Sequence, residues 1–223
     1  MDNFKLLRQI PLFADLDDDA VRALAVRARI RAFETDQRIV NQSDSIQAFY
    51  IILSGRVKIF RSNSEGKEQI LYLIEAGQPF CFCTAFTDKP YPVSVTALEE
   101  SIVADIPAPA MEDLAQQHPL LMLKIMQTLA GRLLEAMNLV ESLSLRCIPQ
   151  RVASFLLHEE HAAPSPPGQP FTLSISHREM AKILGTTPET LSRTLQKLKK
   201  DRLLESSGRT IRILDRDGML RVD

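Results

Sequence analysis

The segment SHREMAKILGTTPETLSRTLQKLKKDRLL, residues 176–204, constrains the fold more than any other: its apolar positions are buried together only by two short helices meeting at a tight turn. Ser176 with Glu179 three residues on reads as a capping box, in which the hydroxyl accepts a free backbone N–H and the carboxylate reaches back to the cap. Met180, Ile183 and Leu184 fall at helical spacing, and Gly185 then supplies a residue that tolerates positive φ. Thr187 offers an N-cap oxygen, and Pro188 takes the first helical position, where its missing N–H is harmless. The second helix carries Leu191, Leu195 and Leu198 on one stripe and leaves Glu189, Ser192, Arg193, Gln196, Lys197 and Lys200 away from the core. That outward set suits a DNA groove; the alternative is an ordinary helical hairpin whose charges only solvate its outer face. Downstream, LLESSGRTIRIL places two apolar-rich runs around Ser207 and Gly208, which predicts a β-hairpin, the wing of a winged helix-turn-helix.

ETLSR and this wing resemble the Crp-Fnr superfamily of bacterial transcription regulators. So does AFYIILSGRVKIFRSNSEGKEQILYLIEAGQPF, residues 48–80, which is similar to the β-roll of that superfamily. The resemblance implies an α+β chain: an N-terminal cyclic-nucleotide-binding-like β-roll, a long dimerisation helix and a C-terminal winged helix-turn-helix. The expected domains are residues 1–117, a sensor with an N-terminal helix; 118–148, dimerisation helix and hinge; and 149–223, the DNA-binding domain.

The pattern along the chain agrees. Residues 1–30 look helical, with Asp15 to Asp19 placing acid at a helix start. From Ala32 to Ile106, short β-branched and aromatic runs broken by Ser, Asn and Gly predict a β-roll. Between His118 and Leu145 the residues Met122, Met126, Leu129, Leu133, Ala136, Val140 and Leu143 alternate steps of four and three, a heptad seam. Leu129, Leu133, Ala136, Val140 and Leu143 are the expected homodimer interface; the alternative is packing on the chain's own β-roll, above all for Met122 and Met126. A further helix, QRVASFLLHEEHA, follows Pro149 and ends in the proline-rich loop APSPPGQP.

Composition narrows the class. In 223 residues, 45% hydrophobic and 25% charged content is ordinary for a soluble globular protein. No apolar run approaches the ~20 residues needed to cross a bilayer, and the N-terminus MDNFKLLRQIPLF lacks a signal peptide's layout. Cys81, Cys83 and Cys147 form no disulfide framework. The expectation is a cytoplasmic protein without a membrane partner. Residues 150–223 hold 12 Lys or Arg against 9 Asp or Glu, leaving 15 against 19 for the rest, so the basic end is the one with the helix-turn-helix. His118, His158, His161 and His177 show no metal spacing, and Glu159 and Glu160 beside two of them suggest an exposed polar face. No nucleophile-and-base pattern, phosphate loop, deaminase or protease motif is present, so catalysis is not expected.

Arginine forks onto guanine O6 and N7, and a carboxylate accepts from the cytosine amino group. Glu189 and Arg193 share a helix face and, with Ser192, match the E-x-x-S-R pattern of Fnr-like members. The resemblance implies that Arg193 reads guanine, Glu189 a cytosine of the opposite strand and Ser192 a neighbouring base, in a half-site like the Fnr TTGA type. Pro188 stands where the cyclic-AMP receptor branch carries arginine. An i,i+4 pair between Glu189 and Arg193 is the alternative. Thr187, Gln196, Lys197 and Arg209 complete the expected DNA-binding set, while Lys199 and Lys200 read as phosphate contacts or solvated charge. A two-fold dimer sets two reading helices ~34 Å apart on a palindromic operator of double-stranded DNA. RNA polymerase is the further partner that the resemblance implies.

The effector is less legible. Cyclic-nucleotide binders of the family hold the phosphate with a G-E-L segment and a following R-S or R-T pair. Here no glutamate follows Phe80, and Pro92 and Val93 or a near neighbour stand at the arginine-serine place, which argues against cyclic AMP. No N-terminal cysteine cluster of the Fnr kind is present, which argues against an iron-sulfur cluster. Phe80, Cys81, Phe82, Cys83, Phe86 and Tyr91, opposed by Met122, Met126 and Leu129, suggest an apolar effector pocket that admits haem, with Met, His or Cys as ligand. Core packing is the alternative for the same residues. The β-roll wording resembles regulators of nitrogen-oxide respiration and nitrosative stress, the Dnr and hybrid-cluster-protein regulator type, which implies nitric oxide sensed through haem. Two further readings stay open: a thiol redox regulator acting through Cys81 and Cys83, and a scaffold or binding protein that reads no DNA.

Overall fold

A computed structural model describes residues 2–44, 48–81 and 90–222. The chain forms two compact units, Met1–Glu135 and Ala136–Asp223. Among the described residues no helix is long and apolar enough to cross a membrane.

The first unit opens with α1 (Asn3–Arg8), a 3-10 turn (Pro11–Phe13) and α2 (Asp18–Arg27). The expected helical stretch 1–30 is therefore interrupted. Pro11 restricts Ile10 to extended backbone, and Asp17 caps α2 by accepting from the Ala20 N–H. Ala28 is extended, and Arg29 and Ile30 already belong to β1 (Arg29–Phe33). The roll follows as β2 (Arg38–Val40), β3 (Ala48–Ser54), β4 (Arg56–Ser62), β5 (Glu68–Glu75), β6 (Pro79–Phe80), β7 (Ser94–Ala97) and β8 (Ser101–Pro107). The strands form two antiparallel four-stranded sheets, ordered β1-β8-β3-β6 and β2-β7-β4-β5. The EGKE hairpin joins β4 to β5, with Asn63 Oδ1 accepting from the Glu65 and Lys67 N–H groups.

Two cores lie on opposite faces of β3, because successive side chains of a strand point to opposite sides. Ala48, Tyr50 and Ile52 join Phe80, Tyr91, Val95 and Val103 inside the roll. Phe49 and Ile51, with Ala104 and Ile106 of β8, join the helices α1, α2, α3 (Ala108–Gln117) and the start of α4 (Pro119–Leu145). The helix expected over 118–145 is thus one continuous element.

In the second unit α5 (Ile148–Ala162) starts from a capping box of Cys147 and Gln150. Then come β9 (Phe171–Thr172), α6 (His177–Ile183), α7 (Pro188–Lys200), β10 (Leu204–Ser207), β11 (Thr210–Ile213) and α8 (Arg216–Leu220). The wing is a three-stranded sheet, β10-β11-β9. Glu160 is not part of an exposed polar face. It is 3% exposed, turned inward beside Leu156 and Leu157, where its carboxylate accepts from Arg216 and from the Gly168 N–H.

Gly55, between β3 and β4, has φ +85°, and a Cβ there would stand 2.5 Å from the Glu100 carbonyl oxygen and 2.8 Å from Ser101 Cα. Backbone strain and overlap act together, so Gly55→Ala is expected to destabilise the first unit by roughly 3 kcal/mol. Urea denaturation followed by fluorescence of the roll's tyrosines checks this.

Candidate nucleic-acid interface and sensor interior

The turn between α6 and α7 is built by local capping. Ser176 Oγ accepts from the Glu179 N–H at 3.1 Å, which is one half of the expected box, while the Glu179 carboxylate accepts from Lys182 at 3.4 Å. Gly185 has φ +65°, and the Thr186 N–H donates back to the Ala181 carbonyl at 2.9 Å. Thr187 Oγ1 accepts from the Thr190 N–H at 3.2 Å and starts α7. Leu191, Leu195 and Leu198 are buried as the stripe requires, and Thr194 joins them, its hydroxyl donating to the Thr190 carbonyl at 2.9 Å.

Glu189, Ser192, Arg193, Gln196, Lys197 and Lys200 are all exposed on α7, and Arg209 is exposed beside Gly208 at the tip of the wing. The Glu189 carboxyl is held below the usual carboxylate range by its own backbone N–H, then by the Thr187 hydroxyl and more weakly by Arg193. Arg193 makes no salt bridge among the described residues, so the i,i+4 pair does not occupy its guanidinium. Lys199 instead turns to the wing: its ammonium donates to the Ser206 carbonyl at 3.0 Å and ties the end of α7 to β10. Thr190, beside Glu189 and linked to the Thr187 hydroxyl, had no distinguishing signal in the sequence.

In the sensor, Phe80 stacks on Tyr50 with ring centroids 5.2 Å apart, and Tyr91 lies tilted on Tyr50 at 6.3 Å. The Tyr91 hydroxyl donates to the Ala48 carbonyl at 2.9 Å. Cys81 belongs to the same buried cluster and has φ +54°, a left-handed conformation that disfavours a side chain. The other half of the expected pocket is elsewhere. Leu129 packs against the helical core with Phe49 and Ile51, and Met126 is 51% exposed; α4 meets the roll instead at Arg132, whose carbonyl accepts from the Tyr72 hydroxyl at 3.0 Å. Phe82, Cys83 and Phe86 lie outside the described residues. Among the described residues no group of three or more His, Cys, Asp or Glu is placed to hold a metal ion. Cys81 is buried, and Cys147 is exposed at the start of α5.

Among the described residues the buried Tyr50 hydroxyl has no hydrogen-bond partner of good geometry, although the Arg31 guanidinium lies close enough to lower its pKa slightly. Burial, and then the charge of Asp105 opposite it, push its pKa up from 10.0 to about 12. Asp105 is itself raised by burial, partly offset by Arg31, which pairs with it at 3.3 Å.

Residues 150–222 match the Crp-like helix-turn-helix domain, and residues 30–118 match the cyclic nucleotide-binding domain. A β-roll sensor of that type followed by a winged helix-turn-helix defines a DNA-binding transcription regulator. The chain is 28% identical over 209 residues to the transcriptional activator protein Anr of Pseudomonas protegens, covering 92% of this chain and 84% of that one. To the fumarate and nitrate reduction regulatory protein of Yersinia pestis it is 28% identical, over 87% of this chain and 78% of that one. In fold it is similar to FixK2 from Bradyrhizobium japonicum, with a TM-score of 0.74 and 24% identity over 88% of this chain and 97% of that one. The chain belongs to the Crp-Fnr family of transcription regulators, and its relatives act on transcription rather than as enzymes.

An unpaired buried hydroxyl contributes little to neutral-pH stability, so Tyr50→Phe should leave it unchanged or raise it by up to ~1 kcal/mol. Because the folded pKa is raised, the stability held by neutral Tyr50 is complete below pH 10 and is lost as pH climbs through 12. Denaturation midpoints between pH 8 and 12 should therefore fall less steeply in Tyr50→Phe than in the parent.

Proposed function

We propose that this regulator works as a homodimer on a palindromic operator, with Arg193, Glu189 and Ser192 reading base edges and Thr187, Gln196, Lys197 and Arg209 holding the backbone. Arg193, exposed and without a salt bridge among the described residues, beside the exposed Glu189 on the same helix carries the reading. Residues 118–148 act as dimerisation helix and hinge between the sensor, 1–117, and the DNA-binding domain, 149–223. RNA polymerase is the further partner, as for a regulator of this family. Lys199 positions the wing rather than a phosphate.

The effector is a small, largely apolar molecule received inside the roll. The buried Tyr50 hydroxyl supports this, since among the described residues it has no hydrogen-bond partner of good geometry and so offers a donor to a ligand atom. Nitric oxide sensed through haem, as in the Dnr type, is the specific form of the reading. Of the proposed ligands, Cys81 lies among aromatic side chains, whereas Met126 is on the outer side of α4. A second reading, thiol sensing at Cys81 with Cys83, draws on the left-handed backbone at Cys81: a thiol kept at a strained position is a candidate for function.

Arg193→Ala is expected to weaken operator binding ten- to a hundredfold, roughly the 1–3 kcal/mol of one bidentate base contact, and to relax preference at one base pair of each half-site. Fluorescence anisotropy on parent and single-base-variant operators measures both; unaltered binding would favour a scaffold. Absorption spectra of the haem-reconstituted dimer, before and after nitric oxide and with operator affinity measured alongside, test the effector. No Soret band and no change in affinity would discard haem, and unchanged sensing in Cys81→Ser and Cys83→Ser would discard the thiols.

A further inference from the structure

Two helix ends in the second unit converge on one side chain. Arg151, half-buried in the first turn of α5, donates from Nη2 to the Leu143 carbonyl at 2.8 Å and from Nε to the Arg146 carbonyl at 3.0 Å, both at the end of α4. From Nη1 it donates to the carbonyl of Leu184 at 3.0 Å. Leu184 is the C-cap of α6 and immediately precedes Gly185, the residue that turns the chain into α7.

The last carbonyls of a helix lack intrahelical donors and carry the negative end of its dipole. Normally the Cys147 N–H would reach back towards Leu143, but it donates to Gln150 Oε1 at 3.0 Å, which leaves the Leu143 carbonyl to Arg151. Only a guanidinium presents donors in three directions within one rigid plane; a lysine at the same place is a single point with a flexible stem. Arg146 adds a second tie, from its Nη1 to Ser154 Oγ at 2.9 Å and from its Nη2 to Glu141 at 2.9 Å. The end of α4, the start of α5 and the α6–α7 turn are therefore held as one body around Arg151.

We propose that Arg151 is the positioning residue through which the end of α4 sets the α6–α7 turn, and with it the presentation of Glu189, Ser192 and Arg193 to DNA. This rests on the base-reading role given to those residues above. Coupling is reciprocal, so a contact made by α7 on DNA must also be felt at the end of α4.

Hydrogen–deuterium exchange of the full-length dimer, with and without operator DNA, tests the coupling in the unsubstituted protein. DNA should slow exchange at residues 143–147 as well as along α7. In Arg151→Lys, residues 143–147 and 184–187 should exchange faster together without DNA, operator affinity should fall about tenfold, and DNA should no longer protect 143–147. The slope of log affinity against log salt should stay as in the parent; a slope reduced by ~0.9 would make Arg151 a phosphate contact and overturn the proposal. So would a folded Arg151→Lys dimer with unaltered operator affinity, or DNA-bound parent protein with no change at 143–147. A parent protein that binds no DNA at all would overturn the base-reading role itself, a separate failure.

Discussion

The sensor depends on the double burial of β3. Its alternate residues feed two different cores, Tyr50 and Ile52 inside the roll and Phe49 and Ile51 beneath the helices. A strand buried on both faces fixes its register absolutely, since a slip by one residue would exchange the two sets. β8 repeats the arrangement, with Val103 inside and Ala104 and Ile106 outside. The start of α4, through Leu121 and Ile125, packs on the same outer core as Phe49 and Ile51. An occupant of the roll's interior thus lies one strand's thickness from the root of α4. Close-packed side chains transmit such displacements rather than absorb them.

Much of the DNA-binding unit was legible in the sequence because its decisive features are local. Ser176, Gly185, Thr187 and Pro188 each settle one helix end by their own chemistry, and the structure places all four as expected. What depends on distant partners was not legible. β9 is two residues long and is defined by pairing Phe171 with Ile211 and Thr172 with Thr210. Glu160 sits among polar neighbours in sequence, yet helical geometry sets it with Leu156 and Leu157, and its partner Arg216 lies 56 residues away. The buried carboxylate is tolerated because it accepts from both a guanidinium and a backbone N–H.

The sensor was half legible for a related reason. Phe80, Cys81 and Tyr91 share one buried cluster, because turn and strand patterning brings them together. Leu129 was drawn into both the pocket and the dimer seam because an apolar residue has no label for its purpose; here it packs on the helical core of its own unit. The same ambiguity governs the heptad. Steps of three and four from Met126 pass either through Leu129, Leu133 and Ala136 or through Ala130, Leu133 and Met137. The sequence satisfies both.

Exposure separates the two. Leu133, Met137 and Val140 are about 60% exposed, with Leu134 at their side, whereas Ala136 and Leu143 are partly covered within the protomer. Leu133 and Val140 of the expected seam lie on the exposed strip, with Met137 beside them where the expected seam has Ala136. Apolar residues at this spacing on one long helix would be satisfied by a second α4 in the two-fold pairing proposed above, where each strip would cover its own copy. Val140 is less than one turn from Leu143, whose carbonyl Arg151 holds. In such a pair a rotation at Val140 would move that carbonyl, so helix pairing and the reading turn would be joined through the Leu143 carbonyl and the Arg151 guanidinium.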